Sequence, residues 1–175
     1  MNDRALPPKA PDLSKLLEPL VRHGVDFVLI GGMAGIAHGS NYPSFDLDVV
    51  YARDRANIAR LVAALEEIGV RLRGAPADLP FLFDVQTIWN GANFTFITPH
   101  GELDVFGDVA GINSYEDLRS TAEEEEVAGV PVRIASIDHL IAMKKAANRA
   151  KDKLMVEEYI ALADEQQRAK DESAE

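Results

Sequence analysis

The sequence predicts one α+β domain: a mixed β-sheet flanked by helices, with a helical pair at its C-terminal end. Three observations carry that expectation. Short apolar or alternating runs of strand type are interleaved with amphipathic stretches of helical period. Two turn-linked pairs of such runs, 92–106 and 123–135, read as hairpins and so require antiparallel neighbours in the sheet. From Ser136 onward the pattern is helical alone.

In chain order, Asp12 or Ser14 can cap a first helix that runs to His23, with Leu16, Leu17, Leu20 and Val21 on one stripe and Gly24 as its stop. Val25 to Ile30 is almost wholly apolar and reads as a buried strand, ended by Gly31-Gly32. Met33 to His38 is a small-residue helical turn and Gly39 to Ser44 a polar loop. Phe45 to Tyr51 follows as a strand in which Asp46 and Asp48 alternate with Leu47 and Val49. Arg55 to Ile68 is an amphipathic helix stopped by Gly69. Leu79 to Trp89 reads equally as a short helix or a strand, which leaves the position of Asp84 open. Ala92–Thr98 and Glu102–Phe106 pair around Pro99-His100-Gly101, and Glu123–Val127 and Val132–Ala135 form the second hairpin. Ser136 caps a helix to about Asn148, and Lys153 to Gln167 forms the last one. Residues 12–168 make the domain, between a Pro-rich flexible segment 1–11 and a disordered tail 169–175.

Composition narrows the chemistry. The chain has 175 residues and no cysteine, which excludes disulfides, thiolate metal sites and cysteine nucleophiles. No apolar run approaches the roughly 18–20 residues that span a bilayer, and the first residues hold no signal-peptide core. The expectation is a cytoplasmic protein with no membrane partner. A net charge of −11 argues against broad coating of nucleic acid, because few counterions would be released. Locally the sign reverses: Arg133, Lys144, Lys145, Arg149, Lys151 and Lys153 face only Asp138 and Asp152 between residues 133 and 153.

Asp46 and Asp48 stand two apart in a strand, so both project from one face, about 6–7 Å apart along the backbone. An isolated Asp-x-Asp is also what a solvated edge strand shows. Here, however, Asp104 lies in a second strand of the same apolar–acid–apolar kind, Leu103-Asp104-Val105, and can meet the first two across a sheet. Crowded carboxylates need a compensating cation, and oxygen ligands suit Mg2+ or Mn2+. Three carboxylates can hold two such ions, which would bridge a triphosphate. Gly31-Gly32, between strand and helix, offers backbone N–H groups to a phosphate or is a plain turn. His23, His38, His100 and His139 share no metal-site spacing and read as surface or cap residues, with His38 about two helical turns beyond Gly31-Gly32, near where such a triphosphate would enter. Trp89, Phe94 and Phe96 read as core.

These motifs together carry a resemblance. Gly31-Gly32, thirteen residues, then Asp46-Leu47-Asp48-Val49 is similar to the G-[GS]-x(9–13)-D-h-D-h signature of the DNA polymerase β-like nucleotidyltransferase superfamily. Thr98-x-x-Gly101-x-Leu103-Asp104-Val105 resembles the third-carboxylate strand of its small stand-alone bacterial members. Leu140-Ile141-x-x-Lys144, with Arg149-x-Lys151-Asp152, resembles their C-terminal helix and turn. Within that superfamily the sequence looks most like the AbiEii-like and MenT-like proteins, often toxins of toxin–antitoxin pairs, some of which transfer nucleotides to tRNA. The resemblance implies the nucleotidyltransferase fold and transfer of a nucleoside monophosphate from a nucleoside triphosphate to an acceptor hydroxyl. Asp46 and Asp48 would bind both metal ions, and Asp104 would bind the catalytic one and help deprotonate the acceptor. Lys144, Arg149 and Lys151 would neutralise triphosphate charge, or they form a solvated basic face.

One departure stands out. Such relatives often carry Arg and Thr four and two positions before the first aspartate, where this chain has Tyr42 and Ser44. Serine keeps a hydroxyl for the phosphate, but Tyr42 supplies no guanidinium. Ser40 is a further candidate phosphate donor, and Asp152 either caps the last helix or pairs with Lys151 or Arg149. Two alternatives therefore stay open: a catalytically weakened member that acts by binding a protein such as an antitoxin, and a small-molecule transferase of the antibiotic-resistance type.

Overall fold

The structure, a computed structural model, describes residues 9–76, 78–79 and 83–174. Its first half runs α1 (Leu13–Arg22), β1 (Phe27–Ile30), α2 (Gly31–Ala37), β2 (Asp46–Tyr51), α3 (Arg55–Ile68), β3 (Arg71–Leu72) and α4 (Val85–Asn90). The second half runs β4 (Asn93–Thr98), β5 (Gly101–Phe106), α5 (Tyr115–Ser120), β6 (Glu123–Val127), β7 (Val130–Ile134), α6 (Ile137–Ala147) and α7 (Ala150–Ser173).

The strands form one mixed sheet of seven in the order β3-β4-β5-β2-β1-β7-β6. Only β1·β7 and β2·β5 are parallel. The β2·β5 pairing decides the site, because its register sets Asp48 opposite Asp104 and Asp46 opposite Glu102. The antiparallel β1·β2 pairing sets Ile30 opposite Asp48, which brings the start of α2 to the same place.

Core formation explains why the acids share a side. Leu47, Val49 and Tyr51 of β2 are fully buried and alternate with Asp46 and Asp48, so one register buries the apolar set and lines up the carboxylates on the opposite face. Leu16, Leu17 and Leu20 of α1 and Ile58, Leu61 and Leu65 of α3 are also fully buried, each worth about 1.5–3 kcal/mol on transfer from water. These two helices pack on each other, while α6 packs on α2 and α7. Ser136 caps α6 by accepting from the His139 N–H, and Asn148, with φ of 50°, turns the chain into α7.

Several sequence expectations change. Leu79–Trp89 resolves in its later part as the helix α4, capped by Asp84, which accepts from the Thr87 N–H at 2.7 Å; residues 80–82 of that stretch lie outside the described residues. Neither β3 nor α5 was expected, since two and six residues are too few to show a period. The second hairpin has a shorter turn than expected, the two residues Ala128-Gly129, both with positive φ, so β7 begins at Val130 rather than Val132. The last helix begins at Ala150 and runs through Ser173, past residue 169, because Glu, Gln, Lys and Ala favour helix even where nothing is packed. Residues 1–8 of the expected N-terminal segment lie outside the described residues, and just beyond it the Asp12 N–H donates to the His100 carbonyl at 2.8 Å. Trp89 is 38% exposed with the Arg55 guanidinium 4.8 Å from its ring centre, whereas Phe96 is fully buried and stacks on Phe94.

Candidate active site

Asp46, Asp48 and Asp104 each place one carboxylate oxygen so that all three lie within 4.8 Å of one another. Asp104 is 7% exposed and Asp46 and Asp48 are half-buried. Burial, and then the charges of Asp46 and Asp104, push the Asp48 carboxyl up to about 7. Burial also raises Asp104, against the pull of Arg73. The cluster is therefore short of positive charge, and its all-carboxylate donor set fits a hard divalent cation rather than a thiolate- or imidazole-preferring one.

The glycines give this cluster its floor. Gly31 opens α2 with φ of +67°, and a Cβ there would strike the Asp48 carboxylate. A Cβ on Gly32 would lie 2.6 Å from the Ser44 hydroxyl. Both positions are thus kept bare by the acid and the serine that face them, and no side chain caps the first N–H groups of α2. Ser44 donates to the Asp46 carboxylate at 3.3 Å.

Across the cleft the cations are organised by one buried acid. Asp152 is 1% exposed and accepts from Lys144 Nζ at 3.2 Å and Arg149 Nε at 2.7 Å, while the Arg149 backbone N–H also donates to it. Burial pushes Asp152 up, but the hydrogen bonds from Arg149 and Lys144 outweigh it and hold the carboxyl below its ordinary value. Asp152 therefore both caps α7 and fixes the two cations; its partners are Lys144 and Arg149.

All of the expected residues line two adjoining recesses that share Asp46, Asp48, Lys144 and Arg149. One, of about 370 Å³, adds Gly32, Ser44 and Lys151. The other, of about 400 Å³, adds Gly31 and Asp104, and is walled by Val109, Leu140 and Met143. Other candidates lie elsewhere. His38 meets the Ala135 carbonyl at 2.8 Å and Gln166 at 3.1 Å, beneath α7 rather than at a nucleotide entrance. The Ser40 hydroxyl is taken by Glu158 at 2.6 Å, and Tyr42 packs against the core.

Arg73 is the residue that sequence reasoning missed. It follows β3, and its Nη2 reaches Asp104 Oδ1 at 2.6 Å and Glu102 Oε2 at 3.2 Å. Its only sequence signal was an arginine amid a stretch of unreadable pattern. The placement depends on β3 pairing with β4, which the Arg73 N–H extends by donating to the Thr95 carbonyl at 3.0 Å.

No protein-family model matches the sequence, and no curated protein matches it. Solved structures do match the fold. A Thermotoga maritima protein assigned as a nucleotidyltransferase superposes with a TM-score of 0.55 at 14% identity, over 85% of this chain and 90% of that one. The lincosamide antibiotic adenylyltransferase LnuA, bound to lincomycin, gives 0.56 at 13% identity, over 86% and 95%. ANT(2")-Ia in complex with adenylyl-2"-tobramycin gives 0.56 at 18% identity, over 92% and 91%. The chain thus has the nucleotidyltransferase fold, a mixed sheet flanked by helices.

Proposed function

We propose that this chain is a divalent-metal-dependent nucleotidyltransferase that moves a nucleoside monophosphate from a nucleoside triphosphate to an acceptor hydroxyl. The observation that carries the reading is the β2·β5 register, which brings Asp46, Asp48 and Asp104 together beside Gly31 and opposite Lys144 and Arg149. The adenylyl-transferring proteins among the solved structures of this fold support it.

Asp46, Asp48 and Asp104 would hold two Mg2+ or Mn2+ ions, which when bound supply charge for the triphosphate and lower the pKa of the attacking hydroxyl. The chain's own residues do the rest. Gly31 and Gly32 let the triphosphate approach the backbone of α2, and Ser44, Lys151, Lys144 and Arg149 neutralise and orient it. The acceptor oxygen forms a bond to the α-phosphorus as the bond to the pyrophosphate oxygen breaks. The acceptor proton passes toward Asp104 and solvent. Fixed cations stabilise the charge on the leaving pyrophosphate without reorganising, because Asp152 already holds them.

The acceptor belongs to tRNA, as the MenT-like resemblance implies, or to a small molecule. Asp108, exposed on the rim of one recess, favours a cationic small acceptor, and ANT(2")-Ia is seen in complex with an adenylylated small molecule, adenylyl-2"-tobramycin. If the acceptor is tRNA, the chain works as the toxin of a toxin–antitoxin pair, with a protein antitoxin as partner. The site of work is the cytoplasm, consistent with the lack of any helix among the described residues long and apolar enough to cross a membrane. The test is transfer from α-labelled nucleoside triphosphates to tRNA and to a panel of aminoglycosides and lincosamides. The wild-type protein labels one class of acceptor, and Asp48→Asn loses at least about 100-fold in rate. Equal labelling by a folded Asp48→Asn protein sinks the proposal.

A further inference from the structure

Among the described residues, Arg73 is the cation that touches the carboxylate cluster directly, and it does so through the acid that the pairing of β2 with β5 places at the centre of the site. Its Nη2 lies 2.6 Å from Asp104 Oδ1, and the same nitrogen reaches the Phe96 carbonyl at 3.3 Å and the Glu102 carboxylate at 3.2 Å. The guanidinium is about one-third exposed, and its Nε is buried without a hydrogen-bond partner. The contact is therefore held through one end of the fork only. A second acid, Glu102, stands beside it on the rim, 46% exposed. The arginine consequently has two acidic partners within reach, one inside the cluster and one at its edge.

We infer that Arg73 is a standing counterion of Asp104 that competes with divalent cations for this carboxylate and withdraws to Glu102 when they bind, so that it sets the affinity of the site for metal. The inference rests on the metal-dependent reading above. A guanidinium in contact with one ligand repels a divalent ion placed on the same oxygens, and a low-dielectric surrounding strengthens that repulsion. In the cation-free protein the same contact offsets part of the mutual repulsion of the three carboxylates. Arg73 is a positioning residue in this scheme: it orients the Asp104 side chain until a cation replaces it, and it acts through Asp104 rather than on the reacting atoms.

Calorimetric titration with Mn2+ alone, on the full chain, tests this. Arg73→Gln removes the charge and keeps a hydrogen-bonding side chain, and should bind Mn2+ about five- to tenfold more tightly than the wild type. Arg73→Lys restores the charge and should return the affinity to within about twofold of wild type. A residue that merely braces β3 would give the opposite sign, because loosening Asp104 weakens binding. Wild-type binding with Arg73→Gln unchanged or weaker overturns this inference alone. Absence of Mn2+ binding in both the wild type and Arg73→Gln overturns the metal-dependent reading and this inference with it. Binding by Arg73→Gln only, restored to none by Arg73→Lys, supports both. If Arg73→Gln does not fold, Arg73→Met takes its place in the same comparison.

Discussion

At the scale of one residue, Asp48 carries a charge that opposes stability. Its carboxyl is pushed up to about 7 by burial and by its two acidic neighbours, whereas in the unfolded chain it titrates near 3.8. The folded state therefore binds the proton more tightly, so the stabilising contribution is complete below about pH 4 and is lost as pH rises through about 7. Asp48→Asn removes that dependence. Without divalent metal, the variant should be more stable than the wild type at pH 8 by about 2–4 kcal/mol, with the gap closing toward pH 4. Urea denaturation at both pH values in the presence of a chelator checks this, and a variant less stable at pH 8 would contradict it. A group that costs stability where it stands marks the place where a ligand is expected. Gly31 belongs to the same economy, since only a residue without a Cβ fits against the Asp48 carboxylate with φ of +67°.

At the scale of elements, the junction of α6 and α7 carries the cations. Asp152→Asn replaces the carboxylate shared by Lys144 and Arg149 with a neutral amide that keeps one acceptor oxygen; Arg149, 74% exposed, recovers hydration from water, whereas Lys144, 18% exposed, recovers less. The expected cost is about 1–2 kcal/mol of stability, measured by urea denaturation, with a larger relative loss in triphosphate affinity because the two cations are no longer fixed. A variant with wild-type affinity would show that Asp152 only caps the helix. Much of this geometry was legible in the sequence. The Asp46–Asp48 alternation, the Gly31-Gly32 stop and the Ser136 cap are local signals, and local signals survive into the fold. What could not be read depended on partners distant in the chain. The contact of Arg73 with Asp104 needs β3 to pair with β4, and α5 is held by buried Leu118 and by the Tyr115 hydroxyl on Asp26 rather than by any period of its own. The place of His38 could not be read for the same reason: Ala135 and Gln166, which fix its ring, lie far along the chain.

For the whole molecule, the fold sets a group of cations beside a cluster of acids in a chain whose net charge is strongly negative. The net charge of −11 is carried largely on exposed faces, including Glu123–Glu126 on the edge strand β6, where like charges also discourage pairing with another chain. Among the described residues, the cleft sets Lys144, Arg149 and Lys151 against a carboxylate cluster. A protein built this way should bind an anionic ligand only together with the cation that its acids require. Thermal unfolding with each of the four ribonucleoside triphosphates, with and without Mg2+, on the wild type and on Asp48→Asn, tests that claim most directly. The account predicts that at least one triphosphate at about 100 times its Kd raises the wild-type midpoint by roughly 5–10 °C, only with Mg2+ and not in Asp48→Asn. No shift with any triphosphate, or a shift of equal size without Mg2+, would contradict it.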